Sequence, residues 1–318
     1  MSTLPPALLR AIEDEISTVP FRALQSRVTE MMAAYRSGDA EAAPFLDDTG
    51  AKAYAAYRMP GTVAALIRVL TELTETTGIA PTSLVDVGGG TGATVWAAST
   101  VWHSLQRATV VDRSPEAVAV GRALASDLDI PVTWITDPLG DELPEADVAV
   151  AAYLLGELSA EDIDRVVDAM TRAAPTVVIV EPGTPPGYQR VLGARDRLIE
   201  AGLDLAAPCP HVHECPLAGR DWCHFAARFS RPAWLRRLKD AELGHEDEKY
   251  SYVVATRLEV VEVGDRIIRH PLKRPRMVSL ELCRTDGSAT TVTISRRHGD
   301  AYRAARDVRW GDRWPVKT

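Results

Sequence analysis

A doubly wound α/β sheet, with helices ahead of it and a β-rich tail behind, is the fold that the 318 residues predict. Three observations carry the prediction. Short β-branched runs recur between helical stretches from residue 84 onward, a cluster of glycines follows the first of them, and the last 50 or so residues change in charge and periodicity. Strands that alternate with helices pair in parallel, because each strand returns to the sheet through a crossover. With 46% apolar residues the chain can bury a large core.

In chain order, residues 1–80 read as a helical region. Apolar side chains fall at helical spacing over 7–16 and again over 63–73, where Pro60, Gly61 and Thr62 supply a helix start. Residues 81–258 follow as the α/β domain, with strands at 84–87, 108–111, 132–135, 147–152 and 176–180. A helix over 189–201 leads into a Pro-, His- and Cys-rich insertion at 206–225, which has neither helical nor strand periodicity. A second helix over 232–241 and a strand at 249–257 complete the domain. Residues 259–318 form a basic, β-rich extension, in which 278–283 and 290–295 make a hairpin across Asp286 and Gly287. The sheet is expected to end antiparallel.

The N-terminal residues MSTLPPALLRAIEDEIS show neither a basic leader nor an unbroken apolar stretch. No run approaches the roughly 18 apolar residues of a bilayer span, so a cytoplasmic chain is expected. Net charge is -8, but it is uneven: residues 266–318 hold 13 Lys and Arg against 5 Asp and Glu, which is +8 and leaves -16 for the remainder. Such asymmetry points to a polyanionic partner for the tail.

Around the glycines, strand 84–87 runs into Gly88-Gly89-Gly90-Thr91-Gly92-Ala93 and then a helix. Glycines let the backbone turn sharply and approach a ligand, while the helix start offers free amides. Gly88, Gly90 and Ala93 fit the dinucleotide fingerprint, so a nicotinamide or flavin site stays open. Asp86 tilts the choice toward the methyltransferase pattern D-x-G-x-G-x-G through Gly88, Gly90 and Gly92. A carboxylate there suits the cationic amino acid end of S-adenosylmethionine and would repel a pyrophosphate. Asp112, ending the second strand, can accept two ribose hydroxyls, and Asp137, after the third, can bond an adenine amine. No catalytic base is evident: Tyr153-Leu154-Leu155-Gly156-Glu157 is not an Asn-Pro-Pro-Tyr motif, and Glu157 and Glu181 are equally suited to capping or loop bonding.

Four cysteines, Cys209, Cys215, Cys223 and Cys283, include three within 15 residues. Four thiolates form a complete shell for zinc or an iron-sulfur cluster, and His211, His213 and His224 add possible zinc ligands.

The glycine loop, Glu181-Pro182-Gly183-Thr184-Pro185, the run CPHVHECPL with Asp221-Trp222-Cys223-His224-Phe225, and Glu246-Asp247-Glu248-Lys249-Tyr250-Ser251-Tyr252 together resemble one family. It is the methyltransferase-like family associated with the mitochondrial small ribosomal subunit, which has bacterial members, and the resemblance runs from about Tyr57 to Pro315. It implies a Rossmann-like S-adenosylmethionine fold, a 4Fe-4S cluster on Cys209, Cys215, Cys223 and Cys283, and a role in assembling or acting on the small subunit. Without a transit segment, the chain reads as a bacterial cytoplasmic member.

Two functions follow. One is a methyltransferase acting on RNA or a ribosomal component, with Asp86, Gly88, Gly90, Gly92, Asp112 and Asp137 on the cofactor. The other is a non-catalytic RNA-binding assembly or translation factor with a structural 4Fe-4S or zinc site. Neither membrane nor DNA is an expected partner. Arg266, Arg269, Lys273, Arg274, Arg276, Arg296 and Arg297, with Tyr302, Trp310 and Trp314, suit RNA phosphates and unpaired bases.

Overall fold

The computed structural model describes residues 4–37, 47–138, 140–261 and 264–315. Residues 1–3 of the N-terminal stretch and Lys317 of the basic tail lie outside them. Four helices come first: α1 (Pro6–Ser17), α2 (Phe21–Ser37), α3 (Asp48–Tyr57) and α4 (Met59–Thr77). Pro60 sits in the first turn of α4, and Gly78, at φ 69°, closes it in the left-handed conformation.

The α/β portion runs β1 (Ser83–Val87), α5 (Ala93–Val101), β2 (Arg107–Asp112), α6 (Pro115–Leu124), β3 (Val132–Thr136), β4 (Val148–Ala152), α7 (Ala160–Ala173), β5 (Thr176–Pro182) and α8 (Pro185–Glu200). Then come β6 (Asp204–Ala207), β7 (Phe225–Ser230), α9 (Ala233–Leu238) and β8 (His245–Thr256). Among the described residues these strands make an eight-stranded sheet in the order β3-β2-β1-β4-β5-β8-β6, with β7 also paired to β8. The first five are parallel, while β8 runs antiparallel to β5, β6 and β7. That is a Rossmann-like, methyltransferase-type sheet with the expected antiparallel edge. The chain turns back between β1 and β4, the point at which open α/β sheets form their ligand crevice.

Strands β1 and β4 are buried on both faces, which is why β4 reads as a continuous apolar run and β1 departs from one only at Ser83 and Asp86. One core joins them to the N-terminal helices and α5, and a second packs β4, β5 and β8 against α7 and α8. On β8, Tyr250, Tyr252 and Val254 enter the first core and Val253 and Ala255 the second. Helix α9 is shorter than the 232–241 stretch expected, because Asp240 takes φ 47° and ends it.

The tail builds a five-stranded sheet from β9 (Asp265–Ile267), β10 (Leu272–Arg274), β11 (Met277–Cys283), β12 (Ala289–Ser295) and, beyond α10 (Asp300–Asp307), β13 (Arg313–Trp314). Strands β11 and β12 form the expected hairpin, with Gly287 at φ 86° in its turn. Ile267, Val278, Leu280, Leu282 and Ile294 make a small core of their own.

Candidate functional site

Two sites emerge, one at the glycine loop and one at the cysteines. The first is a pocket of about 490 Å³ at the carboxyl end of β1, β2 and β4. Gly88 and Gly90 line it at φ 64° and 51°, values that a side chain would strain. The Gly88 amide bonds the Val111 carbonyl at 2.8 Å, which fixes the loop to β2. Asp86 is wholly buried. Its Oδ1 accepts from Thr94 Oγ1 at 2.8 Å, and its Oδ2 has no partner among the described residues. Burial pushes the Asp86 pKa up to about 7, against the pull of the Thr94 bond.

Asp112 accepts from the Gly90 amide and the Ser114 amide, both at 2.8 Å. Burial raises its pKa, opposed by those two amides. Each carboxylate oxygen keeps a free lone-pair direction for a diol. Two expected positions fall elsewhere. Gly92, at φ 81°, starts α5 outside the pocket, and a Cβ on it would lie 2.8 Å from the Trp134 ring, so its bareness makes room for that indole. Asp137 is exposed and its amide bonds the Asp112 carbonyl at 3.1 Å; its neighbour Pro138 lines the pocket instead.

The opposite wall was not foreseen. Tyr54, Met59 and Thr62 come from α3 and α4. Tyr153, just past β4, lines the pocket on a left-handed backbone, φ 59°, which is costly for a residue with this side chain. Its hydroxyl donates to Glu248 Oε1 at 2.8 Å, and Arg58 reaches the same oxygen at 3.1 Å. Glu181 has the loop-bonding role: buried at the end of β5, it accepts from the Leu155 amide at 2.9 Å and from Arg190 Nε at 2.8 Å. Glu157 lines the pocket facing Arg113 at 3.4 Å, with its pKa raised by burial.

At the second site the four cysteines, all free, line one cavity of about 40 Å³ between α8, the 206–225 segment and β11. Tyr188 donates to Cys215 Sγ at 3.1 Å, and His211 Nε2 lies 3.3 Å from Cys283 Sγ. Arg195, only 3% exposed, donates to the carbonyls of His211 and His213, and its Nε is left without a hydrogen-bond partner. Burial pushes the Cys209 and Cys223 thiols up, and Cys283 up to about 12; Arg195 opposes the shift at Cys209. Of the three histidines, His211 alone lines the cavity among the described residues, while His224 stacks on Trp222 at 5.2 Å.

Among the described residues no three or more His, Cys, Asp or Glu are gathered to hold a metal ion. A single zinc would draw its sulfurs to about 3.8 Å from one another. Around the cavity Cys283 is buried and the other three cysteines are half-buried, beside the buried Arg195 and Arg266, and four sulfurs are a donor set for either a zinc ion or an iron-sulfur cluster.

The basic tail is only partly available to a partner. Arg266 is buried, ion-paired with Glu72 and bonded to the Pro208 carbonyl at 2.9 Å, and Arg269 pairs with Asp221. Tyr302, Trp310 and Trp314 are half-buried; Trp310 packs edge-on against His224, and Trp314 is paired in β13. Lys273, Arg274 and Arg276 are exposed at the β10–β11 turn. The Arg296 amide bonds the Arg276 carbonyl at 3.0 Å, which brings Arg296 and Arg297 to the same end of the sheet.

The family model described as "Mitochondrial small ribosomal subunit Rsm22" matches residues 48–315. A human protein, "Ribosome assembly protein METTL17, mitochondrial", is 34% identical over 83% of this chain and 62% of its own length. The fission yeast "Rsm22-cox11 tandem protein 2, mitochondrial" is 24% identical over 86% of this chain and 45% of its own. The chain thus spans about half to two thirds of these relatives. Among solved structures, a Synechocystis magnesium protoporphyrin IX methyltransferase with bound SAM shares 12% identity at TM-score 0.41, covering 73% of this chain and 97% of that one. The human and fission yeast relatives are mitochondrial by name, which overturns the cytoplasmic placement expected above; that expectation rested on the want of a targeting segment.

Proposed function

The chain belongs to the mitochondrial small ribosomal subunit Rsm22 family, and from that membership we propose that it is a methyltransferase-like ribosome assembly protein that binds S-adenosylmethionine. The observation that carries this is the pocket itself, whose left-handed glycines stand beside a buried carboxylate with one oxygen on Thr94 and the other without a partner among the described residues. Asp86 would meet the ligand's ammonium or sulfonium charge, Gly88 and Gly90 would let its chain pass close to the backbone, and Asp112 would accept the ribose hydroxyls. Bound S-adenosylmethionine would supply an electrophilic methyl group on sulfur, with S-adenosylhomocysteine as the leaving group. Holding donor and acceptor in line supplies most of the acceleration.

Isothermal titration with S-adenosylmethionine across pH tests the reading. A cation prefers the ionised carboxylate, and the free Asp86 pKa is about 7. Affinity is therefore expected to strengthen as pH rises through 7 and to weaken by up to about tenfold per pH unit below it. Asp86→Asn should bind more weakly and lose that dependence; no binding at any pH would sink the proposal.

The non-catalytic alternative has one observation in its favour. Tyr153, in the position from which an acceptor would be presented, has its hydroxyl engaged by Glu248. In either case the cysteines are proposed to hold a 4Fe-4S cluster, zinc being the alternative. Tyr188, His211 and Arg195 would orient and neutralise its thiolates.

Ribosomal RNA of the small subunit is the proposed partner, and the exposed cluster Lys273, Arg274, Arg276, Arg296 and Arg297 is its proposed contact. Changing Lys273→Ala, Arg274→Ala and Arg276→Asn together, asparagine being chosen for the positive φ at 276, should lower the slope of log affinity against log salt by about 2. An unchanged slope in filter binding would remove the tail from the interface.

A further inference from the structure

Helix α8 touches both sites. Tyr188 and Arg195 face the cysteine cavity, Tyr188 donating to Cys215 Sγ at 3.1 Å. Two residues beyond Tyr188, Arg190 Nε donates to Glu181 Oε2 at 2.8 Å. Glu181 is fully buried, and its other oxygen holds the Leu155 backbone amide at 2.9 Å. Leu155 opens the short 3-10 turn Leu155–Glu157, and Leu154 and Glu157 at its two ends line the glycine-loop pocket.

The path is close-packed throughout. A Cβ on Gly156 would come within 3.0 Å of Arg190 Nη2, and one on Gly88 within 2.5 Å of Leu154 Cδ1, so the turn sits against the guanidinium on one side and the glycine loop on the other. A second strap reaches the start of α8: Trp222, next to Cys223, donates from Nε1 to the Gly183 carbonyl at 3.1 Å.

We propose that Tyr188 and Arg190 are positioning residues that tie the Leu154–Glu157 edge of the glycine-loop pocket to the state of Cys215, so that filling the cysteine cavity tightens the pocket for its ligand. The proposal rests on the reading of that pocket as an S-adenosylmethionine site and of the cysteines as a metal cage. A metal-bound thiolate is a charged acceptor that holds the Tyr188 hydroxyl firmly, whereas a neutral thiol accepts weakly. With Tyr188 held, the first turns of α8 are pinned. Arg190 then stays on Glu181, and Glu181 on the Leu155 amide. When the cavity empties, the anchor at Tyr188 weakens and the turn gains freedom beside Gly88. Coupling between binding sites is reciprocal, so ligand in the pocket would also slow loss of metal from the cage.

Hydrogen exchange at the Leu155 and Gly156 amides reads the coupling directly, and titration with S-adenosylhomocysteine reads its consequence. Both are run on the full chain purified without oxygen, on the same chain stripped of metal by chelation, and on Tyr188→Phe with its metal content checked. Stripping is expected to speed exchange at Leu155 about tenfold and to weaken binding about five- to tenfold. Tyr188→Phe should show the faster exchange while still loaded. If Tyr188→Phe does not fold, Arg190→Gln takes its place: exchange should quicken with metal content unchanged, and Arg190→Lys, which restores the charge, should recover part of the protection. Equal exchange at Leu155 in the loaded, stripped and variant forms would overturn the proposal. Altered exchange with no ligand binding in any form would instead refute the cofactor reading and leave the coupling standing. Metal-free protein as purified would refute the cage reading, and the Tyr188→Phe and Arg190→Gln exchange rates would then decide the coupling alone.

Discussion

Replacing Cys209 and Cys215 together by alanine is expected to abolish the proposed metal binding and to lower the melting temperature by roughly 10 °C or more. Between β6 and β7 lies a segment with no regular secondary structure, and three of the four cysteines that line the cavity come from it. Side chains from outside hold it at several points, among them Arg195 on the carbonyls of His211 and His213, Arg266 on that of Pro208 and Ser251 on that of Cys223, but its backbone has no ladder of its own around the cysteines. Metal binding supplies folding free energy of the kind that holds such loops closed. Anaerobic protein should show a broad absorption band near roughly 400 nm and about four irons per chain, both lost in the double variant. Stoichiometric zinc without colour would replace the cluster by a zinc site. Unchanged metal content and melting in the variant would remove these cysteines from any cage.

Gly89→Ala, at a glycine that the motif itself does not name, should abolish cofactor binding. Gly89 has no positive φ, so its backbone accepts alanine and the effect is one of space. The new methyl would lie 2.5 Å from the Asp86 carboxyl carbon and 2.7 Å from Val110 Cγ1. Neither neighbour can give way: Asp86 is wholly buried and bonded to Thr94, and Val110 lies inside β2. The carboxylate that would meet the ligand must move. A fall in S-adenosylhomocysteine affinity of 100-fold or more, about 3 kcal/mol, is expected, with about 2–3 kcal/mol of lost stability. Gly78→Ala is the control, since its φ of 69° strains alanine but nothing lies within 4 Å, so stability should fall by about 1 kcal/mol with binding intact. Calorimetric titration and urea unfolding separate the two effects, and wild-type affinity in Gly89→Ala would exclude the pocket as the binding site.

That contrast marks how far the sequence could be read. The alternation of strands and helices, the antiparallel edge and the 278–295 hairpin were legible because each is encoded locally, in side-chain period and turn chemistry. Asp86 and Asp112 could be placed from the sequence because each lies at the carboxyl end of a strand, β1 and β2, and both line the pocket. Asp137 lay outside the pocket because the residues after β3 leave the sheet edge, and one position of drift separates it from Pro138. Gly89 was invisible as a functional position, since crowding by Val110 depends on the neighbouring strand. Tyr153, Arg58 and Glu248 meet across 95 and 190 residues of chain. The Glu-Asp-Glu-Lys run was recognisable as unusual, but only the fold brings Glu248 to Tyr153. The charge of the tail was countable, yet Arg266 is consumed internally by Glu72, a partner no local pattern names.

The fourth cysteine sits on β11, in a different sheet from the strands that flank the other three, and 60 residues after Cys223. This has a consequence in time. At about 5–20 residues per second of synthesis, a growing chain carries Cys209, Cys215 and Cys223 for about 3–12 s before Cys283 exists. The pocket strands β1 to β5 are already made by then. A group that needs all four thiols can enter only after β11 has been translated, so a nascent chain stalled before residue 283 would carry the glycine-loop strands and an open trio of sulfurs with no fourth.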